Sequence, residues 1–417
     1  MIGLRALLVR NLTIQSIAEA VALACGLASA VLLSRHLGVA GFGVFNYAFA
    51  FMYFFLTLND LGINTIAVRE ISRAPERAAH LLGGLLSLRL GLAAAVLAAA
   101  WLAIWLWPMD PALRPPLMVF ALILPLNALN VPALIFQTSM RFELAAAAQI
   151  TNRVLGLVFL VLMMAAGRGV TAMLAALLAA EICGLAVVWV LAGRLVRLRW
   201  RVDPVLWRML LRGAIPLSIS LVLVAIVNRV DFIMLERLAS IEDVGLYGAA
   251  YRVTNLLEKF PLLVMGTLYP VMSRLAVEDT ARLRQVYQRA LARFAGIGVA
   301  LGAVVIAVSP WLLALVFGDS FRAAAPALRW LVVSTVCLYL ALTGGNLLIA
   351  VGRARDNVLA LGAGAAANIW LNIVLIPSRG IEGAAMATAA SFAIVLGVTL
   401  VAVEKAMSAP PPVVPSA

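Results

Sequence analysis

Hydrophobic positions along this chain fall in long runs, separated by short segments rich in Arg, Gly and Pro. Runs of about 20 residues are long enough to cross roughly 30 Å of hydrocarbon as helices. The alternation of apolar and polar positions that marks a membrane barrel is absent, so helices are expected. Twelve spans are predicted, at 11–33, 42–63, 80–106, 116–138, 146–166, 171–193, 213–235, 244–272, 291–317, 325–350, 357–377 and 383–404. The expected fold class is an all-α membrane protein.

Polar residues interrupt these runs in a patterned way. Span 8 places Gly245, Gly248, Arg252, Asn255 and Lys259 on one helical face, at intervals of three and four. Span 2 does the same with Asn46, Tyr53, Thr57 and Asp60, and span 1 with Gln15, Glu19, Gly26 and Ser29. Asn368 and Asn372 lie one turn apart in span 11. Each stripe needs a lumen or a partner helix, because lipid supplies neither water nor a hydrogen bond. Charges inside spans are Glu19, Asp60, Arg89, Arg153, Glu181, Arg229, Asp231, Arg252, Glu258, Lys259 and Arg329. The stripe of Arg252, Asn255 and Lys259 reads either as a grip for an anionic headgroup or as an internal ion-pair network with Asp60, Asp231 or Glu258. Arg89 and Arg153 lie close enough to the cytoplasmic edge to snorkel, besides being headgroup candidates. Arg229 and Asp231, two apart, are expected to find partners on other helices. Glu181 reads as a structural hydrogen-bonding residue and Arg329 as a charge at the outer rim of span 10.

Composition sharpens the class. The 417 residues are 64% hydrophobic and 12% charged, about half the charged fraction of a soluble protein. The net charge of +13 does not imply nucleic acid. With the N-terminus in the cytoplasm and Arg293 at the edge of span 9 counted as inward, inward loops and tails hold 20 of the 32 Lys and Arg residues, outward loops 6 and span interiors 6. That positive-inside bias places both termini in the cytoplasm. The largest inward cluster, Arg194, Arg197, Arg199, Arg201, Arg208 and Arg212, sets topology and can touch anionic lipid. Cys25, Cys183 and Cys337 have no ligand-spaced partners, so neither a metal nor a disulfide framework is expected. Catalytic residues and cofactors are not expected either: His36 and His80 lack nucleophile or acid partners, and no phosphate-binding Gly-rich loop occurs. The Pro-rich tail is expected to be disordered.

The two halves of the chain echo each other. Arg35, Gly43 and Phe45 are answered by Arg237, Gly245 and Tyr247 at the same spacing, and Ser72-Arg73 by Ser273-Arg274. Arg168-Gly169-Val170 is answered by Arg379-Gly380-Ile381. Six spans per repeat give both copies the same orientation, a build suited to two lobes rocking about a central site. The expected organisation is an N-terminal six-helix lobe over 1–205, including an Arg-rich cytoplasmic loop around 194–212. A C-terminal six-helix lobe over 206–405 and a tail over 406–417 follow, with the two pseudo-symmetric lobes around a central cavity. Pro125, Pro132, Pro216, Pro261, Pro270 and Pro326 are expected to kink helices and free carbonyls there.

Residues 344–391 contain Gly344-Gly345-Asn346, Ala350-Val351-Gly352-Arg353, Asn368-Ile369-Trp370-Leu371-Asn372, Leu375-Ile376-Pro377 and Gly380-Ile381-Glu382-Gly383-Ala384-Ala385. This resembles the C-terminal signature of polysaccharide transporters, including O-antigen flippases, within the multidrug/oligosaccharidyl-lipid/polysaccharide exporter superfamily. Arg35-His36-Leu37-Gly38, Asp60-Leu61-Gly62, Val244-Gly245-Leu246-Tyr247 and Leu268-Tyr269-Pro270 extend the resemblance over nearly the whole chain. It implies a bacterial inner-membrane flippase for isoprenoid-diphosphate-linked glycans, serving lipopolysaccharide O-antigen or exopolysaccharide synthesis. Membrane lipids, a polysaccharide polymerase and chain-length machinery are the implied partners. It also implies a cationic cavity, here Arg89, Arg153, Arg229, Arg252, Asn255 and Lys259, with Asp60, Asp231, Glu19 and Glu258 as gating or coupling acids. Five in-span acids against six cations make this cavity less plainly basic than the family pattern. The lipid II flippase branch has two further spans, so a glycan-repeat flippase ranks above it. A cation-coupled multidrug exporter of the same superfamily and a non-transporting scaffold for glycan assembly are the competing readings.

Overall fold

A computed structural model of the chain describes residues 2–408, without the side chains of residues 2–9 and Leu12. Among the described residues the secondary structure is helical throughout. Its helices are α1 (Ile2–Asp60), α2 (Ile63–Arg73), α3 (Ala78–Leu106), α4 (Arg114–Phe120), α5 (Ile123–Ala128), α6 (Leu134–Thr138) and α7 (Phe142–Ala165). They continue as α8 (Val170–Gly193), α9 (Pro204–Leu238), α10 (Ile241–Glu278), α11 (Thr280–Phe317), α12 (Ala325–Ala350) and α13 (Ala354–Ser408). Ten segments are long and apolar enough to cross a membrane, so this is a multi-pass membrane protein.

Two of these helices are too long for one crossing. At about 1.5 Å per residue α1 would reach roughly 90 Å and α13 roughly 80 Å, against a core of about 30 Å. Each is interrupted where a turn was expected: Gly38 has φ 65° in α1, and Gly380 has φ 52° in α13. Only glycine adopts such a backbone without steric cost. α13 doubles back at its break, since Ala360 packs with Val395 and Ala365 with Phe392. The close approach depends on glycines: a Cβ on Gly364 would sit 2.3 Å from Val395, and one on Gly383 would sit 2.3 Å from the Leu375 carbonyl oxygen.

The fourth span, expected as one helix over 116–138, is instead three short helices, α4 to α6, joined by turns. Pro115, Pro116, Pro125 and Pro132 fall in this stretch and withhold their N–H groups. Side chains from elsewhere take up exposed carbonyls along it. Trp101 donates to Met118, Asn59 to Leu124, Trp189 to Leu129 and Asn11 to Met140, at 3.0–3.3 Å. Irregular backbone at membrane depth is tolerated because protein satisfies it.

The chain divides into two compact units, Met1–Val222 and Leu223–Ala417, with the division inside α9. The first unit packs α1 along α7 and α3, pairs α7 with α8, and has a core that includes Ile63, Leu82, Leu85, Phe136 and Leu210. The second packs α12 against α10, α11 and α13 around Met272, Leu283, Phe294, Tyr339 and Leu347. Two expectations shift. The Arg-rich connection is shorter than expected, because α9 begins at Pro204 and carries Arg208 and Arg212 in its opening turns. The tail starts later than residue 406, because the helix runs on through Ser408; residues 409–417 lie outside those described.

The hairpin of α13 yields a stability prediction. Gly383→Val forces a branched side chain against the Leu375 carbonyl and should lower the melting temperature in detergent markedly, or abolish monodisperse protein. Gly397→Ala, where nothing lies within 4 Å of the added Cβ, should leave it unchanged or slightly raised. Equal melting of the two variants would contradict the close approach at the turn.

Candidate functional site

In the first unit, α1 ends at Asn59-Asp60 and the chain reverses through Leu61 (φ 49°) and Gly62 (φ 78°). The Asp60 Oδ2 atom accepts the Gly62 N–H at 3.2 Å, fixing the carboxylate at the turn. Its Oδ1 meets Nη1 of Arg89 at 3.1 Å. The same Nη1 donates to the Asn59 carbonyl, and Nη2 donates to Asn127 Oδ1 at 2.7 Å. One guanidinium thus ties α1, α3 and α5 together. Arg89 is 1% exposed, so it packs inside the protein instead of snorkelling. Its fork finds a carboxylate, a carbonyl and an amide within the protein and has no need of the interface.

Next to this knot lies a cavity of about 280 Å³ lined by Asn64, Asn127, Asn130 and Gln137 with Phe142. Four carboxamides around an aromatic ring make a site of uncharged donors and acceptors. Asn64 Oδ1 is buried there without a partner. Sequence reasoning missed this group because its members come from α2, α7 and the broken fourth span.

In the second unit the expectation that Arg229 and Asp231 look to other helices holds. Asp231 is fully buried on α9. Its carboxylate accepts the Tyr247 phenol of α10, the Thr388 hydroxyl of α13 at 3.3 Å and the Phe232 N–H at 3.0 Å. Arg229 lies over the Tyr251 ring at 4.9 Å and the Phe232 ring at 5.7 Å, a cation–π arrangement. Tyr247 and Thr388 were not anticipated as partners. Tyr247 did stand out in the repeat, but as a marker of topology.

The α10 stripe is graded. Gly245 and Gly248 are buried, Arg252 and Asn255 are half-buried, and Lys259 is exposed. Beside it Glu258 lines a cavity of about 410 Å³ with Asn228, Asn346, Asn357 and mostly apolar neighbours. Asn368 and Asn372 are buried and bonded to each other at 3.0 Å. Elsewhere Gln149 donates to Glu19 at 3.4 Å, and Asn152 donates to Glu181, the structural bond expected of that residue. Arg153 is exposed on α7. Arg329 donates to Ser309 at 3.1 Å, so it is more than a rim charge.

A family model described as Polysaccharide biosynthesis protein matches residues 8–276, and one described as MatE matches residues 216–374. Two curated relatives are uncharacterized membrane proteins. YabM of Bacillus subtilis is 48% identical over 61 residues, 15% of this chain and 12% of that protein. MJ1068 of Methanocaldococcus jannaschii is 28% identical over 165 residues, 39% of this chain and 32% of that protein. The matches therefore span well under half the length of either relative. Among solved structures, the lipid II flippase MurJ in an inward closed conformation superposes with a TM-score of 0.80 at 14% identity, covering 94% of this chain and 88% of that one. An inward-facing multidrug resistance MATE family transporter of the MOP superfamily gives 0.73 at 16% identity, covering 92% and 96%. At these identities the likeness is one of fold.

The Arg89 knot predicts strong coupling. Arg89→Met strands Asp60, the Asn59 carbonyl and Asn127, and should cost about 3 kcal/mol, as breaking a largely buried pair does. Asp60→Asn/Arg89→Met should cost clearly less than the sum of the single changes. Denaturant unfolding in detergent measures the cycle; additive losses would show that the two side chains do not act together.

Proposed function

We propose that this chain, which belongs to the polysaccharide biosynthesis protein family, is a flippase for isoprenoid-diphosphate-linked oligosaccharide, an O-antigen or exopolysaccharide repeat unit. It would act by alternating access in the bacterial inner membrane, with both termini cytoplasmic. The observation that carries this reading is how the structure treats the two signs of in-span charge. Asp231 is buried among hydroxyls, Asp60 is committed to Arg89, and Glu19 and Glu181 are bonded to amides. Arg252 and Glu258 are half-buried, and the in-span charges that are exposed, Arg153, Lys259 and Arg329, are all cations. The near balance of charges in the sequence therefore becomes a cationic bias at exposed positions, which suits a diphosphate.

In this reading Arg252, Asn255 and Lys259 bind the diphosphate, with Arg153 and Arg229 contributing as it moves. Arg89 holds the helix ends of the first unit together, and Asp60, Asp231, Glu19 and Glu258 are the gating or coupling acids. The breaks at Gly38 and Gly380 bring the crossings to twelve, six in each repeat. The amide cavity beside Arg89 offers hydrogen bonds to sugar hydroxyls. Polymerase and chain-length machinery are the proposed downstream partners.

A second reading draws on a specific feature. The MatE match and the acid-bearing, largely apolar cavity at Glu258 favour a cation-coupled exporter of lipophilic cations. Charge reversal separates the two. Arg252→Glu/Lys259→Glu, made at normal membrane levels, should reduce glycan export by at least about tenfold, the worth of one charged hydrogen bond, without changing drug resistance. Intact glycan export with altered drug efflux would move the assignment to the exporter.

A further inference from the structure

The segment between α8 and α9 is a built feature of the first unit. Residues 195–202 read Leu-Val-Arg-Leu-Arg-Trp-Arg-Val, with residues 197, 199 and 201 all arginine. Residues 196–203 form an irregular strap between α8 and α9. Val196 and Leu198 pack on the core of the first unit, while Arg197, Arg199 and Arg201 are all exposed. The strap is held at several points along α3. Ser87 Oγ donates to the Arg201 carbonyl at 2.7 Å, and Trp207 Nε1 to the Gly84 carbonyl at 3.0 Å. The backbone of Arg199 lies so close to α3 that a Cβ on Gly83 would sit 1.9 Å from its carbonyl oxygen.

This docking gathers the three arginines with His80, Trp200, Ala79 and Glu76 around a cavity of about 550 Å³. The acid of the strap, Asp203, accepts the Leu206 and Val205 N–H groups at the start of α9 and meets His80 at 3.2 Å. The Leu206 N–H, with the Arg201 and His80 charges, holds its carboxyl below the usual range. Glu76 and Asp203 thus stand against three guanidiniums and an imidazole. Trp200 is exposed beside them, the placement of a side chain that settles at a membrane–water interface.

We propose that this cavity is a binding site for a lipid-borne phosphate headgroup. Guanidinium forks match phosphate oxygens, and the strap gathers three of them around one cavity. Two sources carry this chemistry: bulk anionic phospholipid, and the diphosphate of an isoprenoid carrier awaiting transfer. The second source rests on the flippase reading, and the first does not.

The test uses the full chain purified in detergent, with bound lipid counted by native mass spectrometry. Phosphatidylglycerol and a polyisoprenyl diphosphate are the two probes, with phosphatidylcholine as the neutral control. Arg197→Gln/Arg199→Gln/Arg201→Gln should weaken binding roughly fivefold per arginine, about a hundredfold in all, without altering the melting temperature, since these side chains are exposed. Gly83→Val, which keeps all three arginines but displaces the strap, should lose the same probe. Loss confined to phosphatidylglycerol identifies a lipid-anchoring site, and loss of the diphosphate identifies a loading site. Unchanged binding of both probes by a folded triple variant overturns the proposal. Failure of the wild type to transfer any lipid-linked glycan would sink the flippase reading while leaving the phosphatidylglycerol result standing.

Discussion

Hydrocarbon offers a polar group no partner, and much of this structure follows from that constraint. A guanidinium at membrane depth must find its acceptors inside the protein, and Arg89 of α3 finds them on α1 and α5. Those contacts in turn require α1 to stop at Asp60, which the left-handed turn at Leu61-Gly62 accomplishes. They also require the fourth span to be broken, so that Asn127 can turn toward α3. The broken span exposes carbonyls, and tryptophan and asparagine side chains answer them.

The same constraint works in the second unit with neutral groups. Asp231 is satisfied by a phenol, a hydroxyl and a backbone N–H drawn from α9, α10 and α13. Glycine supplies the complementary freedom. Gly380 turns α13 back on itself, and Gly364 and Gly383 let its two arms touch. The first unit uses Gly83 and Gly84 in the same way, to seat the strap against α3.

Much of the fold was legible in the sequence because the bilayer imposes a length and a hydropathy on every crossing. The turns expected near 34–41 and 378–382 contain the glycines at which the helices break. The broken fourth span was less legible: each proline alone is tolerable in a membrane helix, and only their sum dissolves it. The depth of Arg89 was hidden because its acceptors lie 30 and 38 residues away, on other elements. Asp231 and Thr388 are 157 residues apart, so no local pattern could pair them. The seat of the strap was hidden because its contacts, such as Ser87 with the Arg201 carbonyl, join residues 114 apart.

The central claim is that accessible cationic positions carry a diphosphate-linked glycan between leaflets. The most direct measurement is transfer of an isoprenoid-diphosphate-linked oligosaccharide across vesicles reconstituted with the purified chain, with and without an imposed proton or sodium gradient. The account predicts protein-dependent transfer that falls when Lys259 and Arg252 are reversed in charge. An absence of transfer for every isoprenoid-diphosphate glycan tried, by protein that is folded and correctly inserted, would contradict it.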